Sequence, residues 1–208
     1  MQGSKVGSSY DVQNVEGARA AYDAWADGYE PDLMAMGYRL PWVFAAICVR
    51  YLDPEWRGVL DVGCGGGMQA EPLKLMGYHY LEGADISSEM LAVARAKNLY
   101  SDLHQITLGE ALPFANGSVP AVLSCGVITP GHAPADALDE LVRITQRGGL
   151  LIYSMRDDPE QQPEYPAKRS ELIEKGAVRE LFRTDAFASI PYGEPDVRHR
   201  VHVCEVLT

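Results

Sequence analysis

The chain has 208 residues, of which 47% are apolar, and a formal net charge of −11 at pH 7. A chain of this length and composition can bury one substantial core, which predicts a single domain. Sequence-independent affinity for nucleic acids and anionic membranes comes from lysine and arginine side chains, so the acidic balance argues against both partners.

The four cysteines, Cys48, Cys64, Cys125 and Cys204, lie far apart in the sequence. Their spacings match neither zinc sites nor dense disulfide scaffolds, so we expect reduced structural thiols and no metal. No run approaches eighteen apolar residues, and the N-terminus lacks the pattern of a signal peptide, which predicts a cytoplasmic protein. Residues 1–9 are predicted to be a disordered tail, and residues 10–208 to be the domain.

The apolar pattern predicts helices and strands in an alternating order. Helical spacing over residues 12–52 predicts two helices, which form an N-terminal cap at residues 10–55. There follow a strand at 58–62, a helix at 68–76, a strand at 78–85, a helix at 87–97, strands at 105–108 and 121–125, a helix at 134–146 and a strand at 150–154. This order predicts an α/β fold with a parallel sheet and helices on both faces.

The alternation ends after residue 154. Residues 156–169 are rich in Pro, Gln and charged residues, and a short helix is predicted at 171–175, so residues 155–175 form a variable insert. The insert is either an element that faces the substrate or a disordered loop, since its composition fits both. Apolar runs at 177–184 and 197–207 predict an antiparallel hairpin on the sheet edge.

A glycine-rich turn follows the first predicted strand, within VLDVGCGGG at residues 59–67. Asp61 precedes three alternating glycines, Gly63, Gly65 and Gly67, which let the backbone turn sharply and approach a ligand closely. Asp85 stands twenty residues after Gly65, at the predicted end of the second strand, where a carboxylate can accept both hydrogen bonds of a ribose diol. The pattern therefore predicts a nucleoside cofactor.

Two cofactors compete for this pattern. The spacing Gly65-x-Gly67-x-x-Ala70 satisfies the loose dinucleotide fingerprint, which favours NAD and a reductase. Against NAD, Asp61 would repel a pyrophosphate but attract the ammonium group of a cofactor that carries an amino acid. Two helices before the first strand, and only about fifty residues after the fifth, also oppose NAD.

Four stretches resemble, in order, the successive motifs of the class I S-adenosylmethionine-dependent methyltransferases: VLDVGCGGG at 59–67, GADISSEML at 83–91, GEALPF at 109–114 and GGLLI at 148–152. YDAWADGYEP at 22–31 and GVITPGH at 126–132 also resemble the subgroup of methyltransferase-like proteins of the Williams-Beuren region. The resemblance implies a Rossmann-like sheet of seven mostly parallel strands with an antiparallel last strand, and S-adenosylmethionine as cofactor.

The resemblance also implies roles for individual residues. It places these residues at the methionine end of the cofactor: Asp61, Gly63, Cys64, Gly65 and Gly67, with Tyr22 and Tyr29 covering that end. It places these residues at the ribose and adenine: Asp85, Ile86, Glu110 and Ala111. It places Cys125 and Gly126 beside the sulfonium.

His132 follows the predicted fourth strand, at the sheet edge where ligands of open α/β folds bind. Its imidazole can titrate near neutral pH, which makes it a candidate base, although it could instead cap the next helix or pack in the loop. Tyr22, Trp25 and Tyr29 form an aromatic stripe that either packs on the sheet or covers the site. The other histidines are predicted to be structural: His79, His104, His199 and His202.

These patterns predict methyl transfer to a small-molecule acceptor by in-line displacement, in which the protein aligns and desolvates the reactants. No acceptor motif is recognisable, so a non-catalytic S-adenosylmethionine-binding sensor or partner subunit is the alternative function. We expect a monomer or homodimer, with neither nucleic acid nor membrane as a partner.

Overall fold

The computed structural model describes residues 15–129, 131–158, 160 and 162–208. The predicted tail at residues 1–9 lies outside the described residues. The helices are α1 (Val15–Ala35), α2 (Leu40–Tyr51), α3 (Ala70–Leu75), α4 (Ser88–Ala96), α5 (Ala137–Ile144) and α6 (Glu164–Glu174). The strands are β1 (Val59–Val62), β2 (Leu81–Asp85), β3 (Asp102–Gln105), β4 (Val119–Ile128), β5 (Thr145–Arg156), β6 (Val178–Arg183), β7 (Phe187–Ile190) and β8 (Glu194–Val206).

The strands form one sheet in the order β3-β2-β1-β4-β5-β8-β6, with β7 paired to β8 off this path. Neighbouring strands from β3 to β5 are parallel, and β8 runs antiparallel to both β5 and β6. This is the predicted Rossmann-like arrangement. The structure adds β7 as an eighth strand, and the predicted antiparallel pair of β6 and β8 forms one edge of the sheet, with β6 outermost.

Helices cover both faces of the sheet, so the strands are buried on both sides. One apolar cluster joins α5 and α6 to one face, through residues such as Leu141 and Leu172. The other joins α2, α3 and α4 to the opposite face, through residues such as Phe44 and Leu73. In α2 the buried residues Leu40, Phe44 and Cys48 recur every four positions, which is the spacing of one helical face.

Several element boundaries differ from the predictions, and three of them have a clear physical reason. The predicted strand at 105–108 ends at Gln105, because the apolar residues after it line a cavity instead of joining the sheet. The predicted helix at 171–175 begins earlier, at Glu164, where Pro163 stands at the N-cap. Proline fits the start of a helix because its missing N–H needs no partner there. Helix α3 begins at Ala70, with Pro72 in its first turn for the same reason.

All four cysteines fall in the described part of the chain and are buried free thiols. None of the described helices is long and apolar enough by itself to span a membrane. Helices α1 and α2 meet that test only as a pair, across an 85° bend.

Candidate functional site

A cavity opens where β1, β2 and β4 end, beneath α1. It encloses about 690 Å³, including space open to solvent. The lining residues are Ala18, Tyr22, Tyr29, Gly63, Gly65, Asp85, Ile86, Met90, Ile106, Thr107, Leu108, Cys125, Gly126, Val127 and His132. The cavity therefore lies at the carboxyl ends of parallel strands, where open α/β sheets bind ligands.

The glycine-rich turn forms the floor of this cavity. The backbone N–H groups of Gly63 and Cys64 donate to the Ala84 carbonyl at 2.7 and 3.0 Å, which closes the turn onto β2. A Cβ on Gly63 would meet Val127 at 2.2 Å. Gly65 has φ +51° and nothing within 4 Å of its ideal Cβ position, so its open side faces the cavity. Gly65 is thus where a ligand can approach the backbone most closely.

Asp85 presents an oriented carboxylate at the end of β2. Its Oδ2 accepts from the Gly65 N–H at 2.8 Å, and its Oδ1 accepts from the Ser87 N–H at 2.9 Å. A carboxylate has about four acceptor positions, so part of its capacity remains for further donors. Burial raises the pKa of Asp85, and the backbone N–H groups of Ser87, Gly65 and Ile86 oppose the rise. The side chain suits a ligand with two adjacent hydroxyl groups.

Asp61 lies beneath the glycine turn and outside the cavity lining, and only 1% of it is exposed. Both of its oxygens accept from Gln69 Nε2, at 3.0 and 2.9 Å, and Oδ2 also accepts from the Tyr100 hydroxyl at 2.7 Å. Burial raises the pKa of Asp61 to about 6, while those hydrogen bonds lower it. In this geometry Asp61 supports the turn from below.

The two other predicted turn residues also lie under the cavity rather than in its wall. Cys64 is 2% exposed, and its carbonyl accepts from the Gly67 N–H at 2.9 Å. Gly67 has φ +90°, and a Cβ there would meet Leu99 at 2.5 Å. Both residues shape the backbone that Gly63 and Gly65 present.

Helix α1 covers the cavity with Ala18, Tyr22 and Tyr29. The Tyr22 hydroxyl and His132 Nε2 form a hydrogen bond, and their ring centroids lie 5.5 Å apart. Tyr29 packs edge-on against both Tyr22 and Trp25, with ring centroids at 5.7 and 4.9 Å. The sequence allowed the aromatic stripe either to pack in the interior or to cover the site. In the structure Trp25 packs in the interior, and Tyr22 and Tyr29 line the cavity.

Two polar contacts fasten α1 to α4. The Ser87 hydroxyl, at the N-cap of α4, donates to Asp23 Oδ1 at 2.6 Å. Lys97 Nζ donates to both carboxylate oxygens of Glu30 at 2.6 Å. Ser87 thus contacts α1 through its side chain and Asp85 through its backbone.

The end of β4 forms the wall beside His132. Gly126 has φ +77°, and its N–H donates to the Ser154 hydroxyl at 2.7 Å, which fixes the strand end against β5. Cys125 is 8% exposed, and burial raises the pKa of its thiol well above the ordinary value. The thiol is therefore held in its neutral form.

The structure brings together most of the predicted site residues. Glu110 and Ala111, by contrast, are exposed and do not line the cavity. The adjoining wall consists of Ile106, Thr107 and Leu108. The sequence signal for this wall was the apolar run at 105–108, which had predicted a strand. Ala18, Met90 and Val127 were also missed, since small and aliphatic side chains carry no chemical signature.

The geometry fits S-adenosylmethionine. Gly65 offers a backbone surface without a Cβ, and Asp85 offers two oriented acceptors for the ribose hydroxyls. Ile86 and Met90 supply apolar surface beside that carboxylate. This combination accommodates a nucleoside joined to an amino acid.

Comparison with known proteins agrees with the geometry. A methyltransferase domain family matches residues 60–153. Human methyltransferase-like protein 27 is 34% identical over 156 residues, which span 74% of this chain and 63% of that protein. The chain is therefore similar to methyltransferases over much of its length.

Other methyltransferases are similar over shorter spans. The yeast 18S rRNA (guanine(1575)-N(7))-methyltransferase is 40% identical over 114 residues, which span 48% of this chain and 42% of that protein. The chain thus spans less than two thirds of either relative. A putative methyltransferase from Haloferax volcanii, solved with the Trm112 activator, superposes with a TM-score of 0.60 at 19% identity. That comparison covers 90% of this chain and 98% of the Haloferax protein, and it supports the shared fold.

Proposed function

We propose that this protein moves the methyl group of S-adenosylmethionine to a small-molecule acceptor, which binds between the cofactor and the Tyr22–His132 pair. The observation behind this proposal is that helix α1 covers the cavity. An acceptor must enter a space lined by aromatic and aliphatic side chains and closed on one side by a helix. Small ligands suit concave sites that are lined mainly by apolar and aromatic side chains with a few polar groups.

Each cavity residue has a binding task in this proposal. Asp85 accepts from the ribose hydroxyls, Ile86 packs on the adenine, and the backbone at Gly63 and Gly65 holds the methionine end. Tyr29 covers that end from α1. Glu110 and Ala111, predicted at the adenine edge, have exposed positions that suit only contact from the rim.

The cofactor supplies an electrophilic methyl carbon, so the protein acts chiefly by alignment and by excluding water. Where the acceptor loses a proton, as a hydroxyl does, the Tyr22 hydroxyl relays that proton to His132 Nε2. Their hydrogen bond supports this role because it already joins the two groups at the cavity wall. Such proton transfer contributes typically 10²–10⁴-fold to a rate.

The charge distribution favours a small molecule over the rRNA that the yeast relative's name specifies. No lysine or arginine occurs among the described residues that line the cavity. The chain carries a net charge of −11, and α1, the helix that covers the cavity, contains Asp23, Asp27 and Glu30. Polyanions bind through the neutralisation of phosphates by cationic side chains, which this surface does not provide.

The predicted insert at residues 155–175 is the part of the domain that we assign to acceptor selection. The Tyr165 hydroxyl of α6 donates to the Ala133 carbonyl at 2.9 Å, next to His132. This contact supports a substrate-facing role, because it links the insert to the loop that carries the proposed base. We keep residues 10–208 as one domain, in a protein that acts as a monomer or homodimer.

An acceptor assay with radiolabelled methyl groups tests the proposal. The protein is incubated with tritiated S-adenosylmethionine and one of two pools from the same cells, the deproteinised metabolites or the purified total RNA. We expect label in the metabolite pool alone, and much less with Asp85→Asn at the same protein concentration and subsaturating cofactor. Label in RNA would overturn the small-molecule acceptor. Absence of label from both pools, despite tight S-adenosylhomocysteine binding, would favour the non-catalytic alternative.

A further inference from the structure

A second pocket lies on the far side of β5, under α6. Four arginines line it, Arg156, Arg169, Arg183 and Arg200, together with His202. We call this cluster the arginine pocket. It shares no lining residue with the cavity under α1, and it is a cationic patch in an acidic chain.

Three of these arginines are neutralised within the protein. Arg200 Nε donates to Asp157 Oδ1 at 2.7 Å, and Arg169 Nη1 donates to Glu180 Oε2 at 2.9 Å. Arg156 pairs with Asp158, with 3.5 Å between Nη2 and Oδ2.

Arg183 at the end of β6 completes the four, and within the described part of the chain it forms no ion pair. The pocket thus keeps one uncompensated positive charge at its exposed rim, on a side chain with five N–H donors.

His202 gives the pocket an unpartnered acceptor. Its side chain is 2% exposed, and Nδ1 lies 3.0 Å from Glu180 Oε2. Since a carboxylate only accepts, Nδ1 carries the proton, and the neutral ring then offers a lone pair at Nε2. Burial lowers the pKa of His202 to about 4, which keeps the ring neutral. Nε2 has no hydrogen-bond partner among the described residues.

A buried polar atom without a partner is costly, and His202 belongs to the lining of the arginine pocket, so a ligand bound there is suited to supply the missing partner. Tyr153 stacks on the imidazole with ring centroids 5.0 Å apart. The strand register brings these side chains together. Tyr153 on β5 and Arg183 on β6 both lie opposite His202 on β8, so the three side chains share one face of the sheet.

We propose that the arginine pocket binds a small anion that also carries a hydroxyl group. The anionic oxygens accept from Arg183, and the hydroxyl donates to His202 Nε2. Hydrogen phosphate, a phosphomonoester monoanion and a 2-hydroxycarboxylate all have this chemistry. This binding is independent of methyl transfer.

Calorimetric titration of the full chain at constant ionic strength tests the proposal, with L-lactate, propionate and inorganic phosphate as probes. Lactate and propionate differ by the hydroxyl alone. We expect lactate and phosphate to bind, propionate to bind about tenfold more weakly, and Arg183→Gln to weaken all three by about tenfold or more. The matched control is Arg179→Gln, another exposed arginine on β6 that pairs with Glu205 instead and should leave binding unchanged.

His202→Phe keeps a ring against Tyr153 but removes Nε2, so it should abolish the preference for lactate over propionate. Circular dichroism checks that each variant is folded. The proposal is overturned by absence of binding to the unsubstituted chain, by equal affinity for lactate and propionate, or by unchanged affinity in Arg183→Gln.

Discussion

Tyr22 and His132 lie 110 positions apart in the sequence, and their side chains share a hydrogen bond across the mouth of the cavity. One belongs to the helix that precedes the sheet and the other to the loop after β4. Because both residues line the cavity, the proposed acceptor would have both groups within reach.

If the pair acts as one proton relay, Tyr22→Phe and His132→Asn should each slow methyl transfer about 100-fold or more. The double variant should be no slower than either single variant, because residues that act as a unit are non-additive. Label transfer at saturating cofactor measures the rate, and S-adenosylhomocysteine affinity should stay within about twofold. Tyr29→Phe is the matched control and should keep its rate. Independent, multiplying effects of the two substitutions would contradict the relay.

Asp85→Asn should weaken S-adenosylhomocysteine binding roughly tenfold to a hundredfold, because hydrogen bonds to a charged acceptor contribute more than neutral ones. Calorimetry measures the dissociation constant. Asp102→Asn removes an exposed carboxylate from the neighbouring strand β3 and should leave it unchanged. Equal losses in the two variants would show that Asp85 acts only through overall charge.

Gly65→Ala should bind the cofactor far more weakly, because its new methyl group would occupy the open face of the glycine turn. Gly77→Ala is the matched control, since Gly77 also has a positive φ, of +97°, and nothing within 4 Å of its ideal Cβ position. Each variant should lose about 1–2 kcal/mol of unfolding free energy through backbone strain. Chemical denaturation and calorimetry together separate strain from binding. A similar loss of cofactor affinity in Gly77→Ala would refute the assignment.

The free energy of unfolding should fall as the pH drops from about 6.5 to 4. Burial lowers the pKa of both His199 and His202 to about 4, whereas in the unfolded chain they titrate near the ordinary histidine pKa of about 6.5. The unfolded state therefore binds more protons in this window, and acid favours it. Asp61 opposes the trend, since its pKa is raised to about 6 and the folded state gains a proton there.

Each histidine should contribute a loss of roughly 2–3 kcal/mol across that window, which the raised pKa values of Asp61 and Asp85 partly offset. Denaturant unfolding at pH 7 and pH 4.5 measures the difference. In His199→Asn this pH-dependent loss should shrink, while in His79→Asn, which alters an exposed histidine, it should match that of the unsubstituted chain. An equal loss in His199→Asn and the unsubstituted chain would rule out burial of a neutral imidazole as the cause.

The sequence predicted the parallel sheet and the ends of β1 and β2 well, because strand burial and glycine turns leave strong local patterns. Gly65 and Asp85 were found for the same reason: their chemistry is readable at the spacing of a single βα unit. The apolar run at 105–108 could not be interpreted correctly, since the same residues suit a buried strand or a cavity wall.

Long-range contacts account for the other differences. Strand β7 pairs only with the start of β8, and its four residues have no pattern of their own. Helix α6 was placed too late because Pro163 and Pro166 look like breakers, yet they occupy the N-cap and first turn, where proline is tolerated. The contact between Tyr22 and His132 depends on how α1 crosses the sheet, which no local pattern encodes.

Ser87 connects the Asp85 carboxylate to helix α1, and this connection bears on the rate of turnover. Its backbone N–H donates to Asp85 and its hydroxyl donates to Asp23 of α1. The residue that orients the carboxylate proposed to bind the ribose therefore also holds the helix that covers the cavity. Spent cofactor must leave after every cycle. Helix α1 covers the cavity and is fastened by that hydroxyl and by the ion pair between Lys97 and Glu30. If the cofactor leaves past α1, these attachments must open first, so we expect them to affect how soon the next cofactor enters.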